Sequence, residues 1–162
     1  MEGITTVSEA VPSFSVEYDN WCAVAGFFDG DGGLDVEVRK NTLHWVLNFT
    51  DNWPPQLAQV KNFLEANSVR VGRVRPTGVG GFKVEVAAVD SLVRCAQSML
   101  GTTCVFKKRR ELECMVNYFG GKLTGNDVIG LLNDLNPVKI KGNRLLDLFR
   151  SVFPFSSASC LA

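Results

Sequence analysis

The residues best equipped for chemistry in this chain stand close together. Asp29 and Asp31 flank Gly30 and are followed by Gly32 and Gly33. Two carboxylates so placed invite a hard divalent cation, because oxygen ligands suit Mg2+ or Ca2+ and one or two carboxylates plus a substrate phosphate make a usual Mg2+ set. An EF-hand loop is the obvious competitor and fails: counted from Asp29, Leu34 stands where that loop needs glycine and Lys40 where it needs a bidentate glutamate. The second chemical feature is the basic run Lys107-Lys108-Arg109-Arg110. It reads either as the solvated first turn of a helix or as a phosphate-contacting patch, and basic charge at a helix N-terminus opposes the macrodipole, so an anion there would be compensated. Lys139, Lys141 and Arg144 form a further basic group suited to tracking phosphates.

These residues have to be placed by regular elements. Residues 1–17 lack periodicity and contain Pro12, which suits an arm. From Asp19 or Asn20, either able to cap, WCAVAGFFDG is apolar on nearly all sides, as in a helix buried on more than one face. Residues 34–40 and 43–50 alternate with period two and form a hairpin. Pro54 and Pro55 open a second helix with Leu57, Val60, Phe63 and Leu64 on one stripe. Residues 69–75, with Gly72 a bulge, and 82–88 make a second hairpin across the turn 76–81, after which Asp90 caps a third helix. Further helices are expected at 107–119, at 124–135 and at 142–152. The fold class is α+β, an α-β-β-α-β-β-α core with a curved antiparallel four-stranded sheet and extra C-terminal helices. One sheet face is apolar. The other carries Asp35, Glu37, Arg39, His44, Asn48, Thr50, Arg73, Arg75, Lys83 and Glu85.

Composition narrows the classes. The chain has 162 residues, enough for one ordinary domain, expected over 18–155 with a tail at 156–162. Hydrophobic content of 46% and charged content of 21% describe a globular chain, and no run approaches the ~20 apolar residues of a membrane span. Seventeen Lys and Arg balance seventeen Asp and Glu, so any affinity for nucleic acid must come from where the charges sit. Cys22, Cys95, Cys104, Cys114 and Cys160 contain no C-x-x-C, and His44 is the only histidine, a poor inventory for zinc. We expect reduced, buried thiols and an intracellular location, in an organelle, the cytoplasm or the nucleoid, since the N-terminus has no cleavable secretory pattern.

Val24 to Gly32, VAGFFDGDG, resembles the LAGLIDADG motif of intron- and intein-encoded homing endonucleases, with Val24, Phe27 and Phe28 in the apolar places of its leucines and isoleucine and Gly30 in place of its second alanine. The element order agrees with that family's independently of the motif. The resemblance implies that the motif helices of two copies pack together through Ala25 and Gly26, with Asp29 structural and capping the partner helix. It also implies that Asp31 holds the divalent metal at the scissile phosphates, Mg2+ for cleavage and Ca2+ for binding with little cutting, with Gly30 adding its carbonyl. Because a single motif is present, it implies a homodimer. By position, Lys107 or its neighbour Lys108 would be the basic residue of the catalytic basin, and Asp51 stands where many relatives carry a glutamine or similar polar residue.

The reading is then a site-specific endonuclease for double-stranded DNA, with no membrane and no small-molecule substrate. A ribbon of ~7 residues spans about seven base pairs, and longer loops with two subunits bring the near-palindromic target to roughly twenty. In the major groove, Arg39, Arg73, Arg75 and Lys83 suit guanine; Asp35, Glu37 and Glu85 accept from cytosine or are held by neighbouring arginines; His44 and Asn48 are versatile. Lys108, Lys139 and Lys141 suit phosphates. Two rivals share the sequence features: an RNA maturase or non-cleaving DNA-binding regulator on the same fold, and a module whose paired helices merely dimerise.

Overall fold

The computed structural model describes residues 18–39 and 42–135. Helix α1 (Trp21–Asp31) starts at Asn20, whose side chain accepts a hydrogen bond from Ala23 N and so satisfies a donor that a helix start leaves open. It passes without a linker into β1 (Gly32–Arg39), which pairs antiparallel with β2 (Thr42–Asp51) along its whole length. That direct passage explains Gly32. A Cβ there would lie 2.3 Å from the Phe28 ring and 2.7 Å from Phe28 Cα.

Helix α2 (Pro54–Ala66) carries its prolines in the first turn, where no intrahelical N–H is needed. A short second hairpin, β3 (Arg75–Pro76) and β4 (Phe82–Val86), follows, then α3 (Val89–Leu100), α4 (Phe106–Phe119) and α5 (Gly125–Leu135). The strands form one antiparallel sheet in the order β1-β2-β4-β3. This is the expected α+β architecture, with α4 and α5 added after the α-β-β-α-β-β-α core. The alternating residues Trp45, Leu47, Phe49, Val84 and Val86 are buried with Phe28 of α1, Leu57 of α2, Leu92 of α3 and Leu112 of α4. Thr124 and Asp127 exchange backbone-to-side-chain bonds in the manner of a capping box and fix the start of α5.

Four expectations change. The strand expected over 69–75 shrinks to Arg75–Pro76. Outside the ladder, Gly72 N still donates to Glu85 O at 2.8 Å, but glycine has no side chain to pack and Pro76 no N–H to give, so the edge pairs only briefly. Asp90 does not cap α3, because the helix begins one residue earlier with Ala88 at its N-cap; Asp90 sits in the first turn and pairs with Arg70 at 2.7 Å. Cys95 and Cys114 are buried as expected, but Cys22 and Cys104 are exposed. Ala25, expected beside Gly26 at a helix-helix contact, is fully buried in the chain's own core. The arm at 1–17, the helix expected at 142–152, the tail and Cys160 lie outside the described residues. Among the described residues, no helix is long and apolar enough to cross a membrane.

Burial pushes the Cys95 thiol up to about 12 and the Cys114 thiol up to about 11, which keeps both protonated and unreactive at neutral pH. Alkylation of the native protein followed by peptide mass spectrometry should therefore modify Cys104 and spare Cys95 and Cys114 until denaturant is added.

Candidate functional site

The last turn of α1 brings Asp29, Gly30 and Asp31 to the end of the sheet. Helix C-termini leave carbonyls without partners, and Lys108 of α4 supplies the donors. Its Nζ donates to Phe28 O at 2.5 Å and to Asp29 O at 2.7 Å, and stands 5.3 Å from the centroid of the Phe28 ring. A cation there also offsets the negative end of the macrodipole. Asp29 completes the tie in the other direction: its Oδ2 accepts from Cys104 N, just ahead of α4, at 2.8 Å. Asp29 Oδ1 is buried and finds no hydrogen-bond partner among the described residues.

Asp31 is exposed, and its carbonyl accepts from Thr50 Oγ1 at 2.8 Å, which fastens the end of α1 to the end of β2. One residue further on, Asp51 accepts from Trp53 N through Oδ1 at 2.7 Å. The fold thereby brings Asp31 and Asp51 to one open cavity of about 320 Å³, shared with Thr50, Asn52, Thr77, Val79, Gly81 and Phe82. Tyr18 reports the local field. Its hydroxyl accepts from Gln56 Nε2 at 2.5 Å, and the phenol holds its proton to higher pH than usual, first because of burial and then, against the opposing bond from Gln56, because of the charges of Asp51 and Asp31. A cavity lined by carboxylate, hydroxyl and amide oxygens suits a hard cation such as Mg2+. Among the described residues, no group of three His, Cys, Asp or Glu could hold a metal alone, so a full shell needs oxygens from water, from a substrate phosphate or from a second copy.

The basic pair of the sequence is thus split. Lys108 is committed to the carbonyls of α1, whereas Lys107 is half-buried and does not line the cavity. Asn52 and Thr77 were not foreseen. Asn52 adjoins Asp51 in sequence and could have been flagged by that; Thr77 is placed only by the second hairpin.

The polar face of the sheet is assembled as the alternation implies. Glu37 lies opposite His44, Asn48 opposite Glu85, and Lys83 opposite both Thr50 and Arg75. Its charges are paired: Arg39 with Glu37 at 2.7 Å, Arg75 and Lys83 both with Glu85, and Asn48 Nδ2 donating to Asp35 Oδ2 at 2.7 Å. The bond from Lys83 holds the Glu85 carboxyl below its ordinary value, against the opposing effect of partial burial and with the charges of Lys83 and Arg75 adding to it. Val46, opposite Asp35, brings an apolar group to this face that the sequence reading omitted. Arg73 is exposed on the irregular segment before β3; Lys139 and Lys141 lie outside the described residues. On the outer side of α1, Cys22 and Gly26 are exposed with Gly30 at successive intervals of four, and a Cβ added at Gly26 would meet nothing within 4 Å.

No family model and no curated protein matches the chain by sequence. Solved structures do match. The homing endonuclease I-CvuI, in complex with its target in the presence of 2 mM Ca, is 17% identical with a TM-score of 0.60, over 82% of this chain and 90% of that one. The archaeal intron-encoded homing endonuclease I-Vdi141I, complexed with DNA, is 17% identical with a TM-score of 0.61, over 82% and 93%. The LAGLIDADG homing endonuclease I-SmaMI, bound to cleaved DNA, is 20% identical with a TM-score of 0.58, over 83% of this chain and 48% of that one.

The split between the lysines is testable. Lys108→Met should lower the free energy of unfolding by ~1–2 kcal/mol, because two carbonyl partners and a favourable dipole interaction are lost. Lys107→Met should change it by less than ~0.5 kcal/mol. Urea denaturation followed by circular dichroism measures both, and equal losses would contradict the assignment.

Proposed function

From the premise that this chain has the fold of the LAGLIDADG homing endonucleases, we propose that it is a divalent-metal-dependent, site-specific DNA endonuclease acting as a homodimer. The observation that carries this reading is the placement of Asp31, at the end of a helix tied down on two sides, over an oxygen-lined cavity beside a polar, strand-built face. Asp31 and Asp51, with the Gly30 carbonyl, are the groups that would hold Mg2+. A bound Mg2+ supplies Lewis-acid charge for phosphodiester hydrolysis. The chain's own part is to position the carboxylates, with Thr50 fixing the Asp31 backbone and Trp53 N fixing the Asp51 side chain. Lys107 adds positive charge near the reacting phosphate.

On the sheet, Arg39, Arg73, Arg75 and Lys83 act as donors to base edges, Asp35, Glu37 and Glu85 as acceptors or as positioners of those donors, and His44 and Asn48 as either. A two-stranded ribbon fits the major groove. Two copies are supported by the lengths of the neighbours, since this chain spans nine-tenths of I-CvuI but about half of I-SmaMI. A further feature supports them, the exposed stripe Cys22, Gly26 and Gly30 on the outer side of α1. Two identical copies imply a near-palindromic target of roughly twenty base pairs.

The decisive assay is Mg2+-dependent cleavage of duplex DNA. Asp31→Asn should reduce cleavage roughly a thousandfold or more, since several kcal/mol of charge stabilisation depend on that carboxylate. Affinity for duplex should stay within about tenfold, because base and phosphate contacts are untouched. Comparable turnover by Asp31→Asn would reject the assignment.

Gly26→Leu probes the dimer separately from the fold. Within one chain the new side chain enters open space at a helical position where glycine is disfavoured by ~1 kcal/mol. The variant should keep the parent's circular dichroism spectrum yet sediment as a monomer and fail to cut both strands; an intact, active dimer would exclude α1 as the contact.

A further inference from the structure

One element of the cavity has no part in that chemistry. Of the residues lining the carboxylate cavity, Val79 is 95% exposed, the most exposed large hydrophobic side chain among the described residues. It sits at the tip of the turn between β3 and β4, flanked by Gly78 and Gly80, at neither of which an added Cβ would meet anything within 4 Å. Gly80 has φ of +93°, a conformation that L side chains rarely adopt.

The base of the turn is closed by hydrogen bonds. Thr77 N donates to Gly81 O at 2.7 Å and Gly81 N to Thr77 Oγ1 at 3.0 Å, closing the turn from both sides. The turn also leans on the residues of the site: a Cβ at Gly81 would lie 3.2 Å from Asn52 Oδ1 and 3.4 Å from the Asp51 carbonyl. A glycine-flanked tip on a closed base therefore presents a single apolar side chain beside Asp31 and Asp51. It continues the strands that carry Arg75 and Lys83.

We propose that Val79 is a specificity residue that packs on the C5 methyl of a thymine at a base pair close to the cleaved phosphate. The inference rests on the endonuclease reading above. Its chemistry is narrow: valine offers only methyl groups, and among the base edges of the major groove only thymine displays one. Polar neighbours on the sheet read the outer positions by hydrogen bonds, and this tip adds an apolar contact at the inner end of the half-site.

The test is a cleavage selection in Mg2+ over a duplex library randomised at every position, run with the parent protein, Val79→Ser and Val79→Ile. The expected result is a thymine preference at one inner position of each half-site in the parent, kept by Val79→Ile. Val79→Ser should weaken it roughly four- to fifteenfold, the value of one or two buried methyl contacts, with unchanged preferences elsewhere and an unchanged melting temperature. Identical profiles for the parent and Val79→Ser would overturn the proposal while leaving the endonuclease reading intact. So would a uniform loss without change of preference, which would make the turn a backbone contact. Absence of cleavage by the parent on every duplex would overturn the endonuclease reading, and this inference with it.

Discussion

The arrangement depends on how the C-terminus of α1 is held. A helix that ends on an exposed carboxylate ends on its most labile turn, where carbonyls lack partners and fraying is easiest. Here α4 closes that end with Lys108, which donates to two of the last carbonyls, while Asp29 accepts from Cys104 N at the start of α4. Even the ~1–2 kcal/mol that Lys108 contributes is a sizeable share of a domain stability of roughly 5–15 kcal/mol. Gly32 then lets the chain enter β1 within one residue, and Thr50 fixes the Asp31 carbonyl from β2. Three elements thus converge on one carboxylate.

The same economy governs charge. A chain with equal numbers of acidic and basic residues exerts little long-range pull on a polyanion. Its polar sheet face answers this by pairing each acceptor with a donor: Glu85 between Lys83 and Arg75, Glu37 beside Arg39, Asp35 beside Asn48. Such a face holds its side chains in place before binding and gains little from phosphates of arbitrary sequence, which favours discrimination over raw affinity. The cavity has the opposite character. Asp31 and Asp51 set two carboxylates at its wall, and an added cation would offset their charge.

Periodic features were legible in the sequence because they are local. The alternation from Leu34 to Arg39 and from Leu43 to Thr50 fixes which side chains share a face, and both hairpins and all five described helices follow from such patterns. Thr124 and the prolines at 54 and 55 mark helix starts by capping chemistry that acts within a turn. Where the reading failed, a competing local rule prevailed. The run 69–75 alternates like a strand, yet Gly72 and Pro76 deprive it of a continuous ladder. Ala25 and Gly26 look equivalent as small residues, but a step of about 100° around a helix puts one in the core and the other outside.

By itself the sequence determined the element order, the two faces of the sheet and the motif that ends in Asp31, all properties of spacing along one chain. Only the tertiary structure decided that Asp51 shares a cavity with Asp31, that Lys108 serves the motif helix while Lys107 is not among the residues lining that cavity, and that the turn bearing Val79 lies against Asp51 and Asn52. The physical reason is range. Periodicity and capping act over a few residues and can be read from neighbours, whereas these juxtapositions bring distant segments together through the bonds from Lys108 of α4 to the end of α1 and the pairing of β2 with β4.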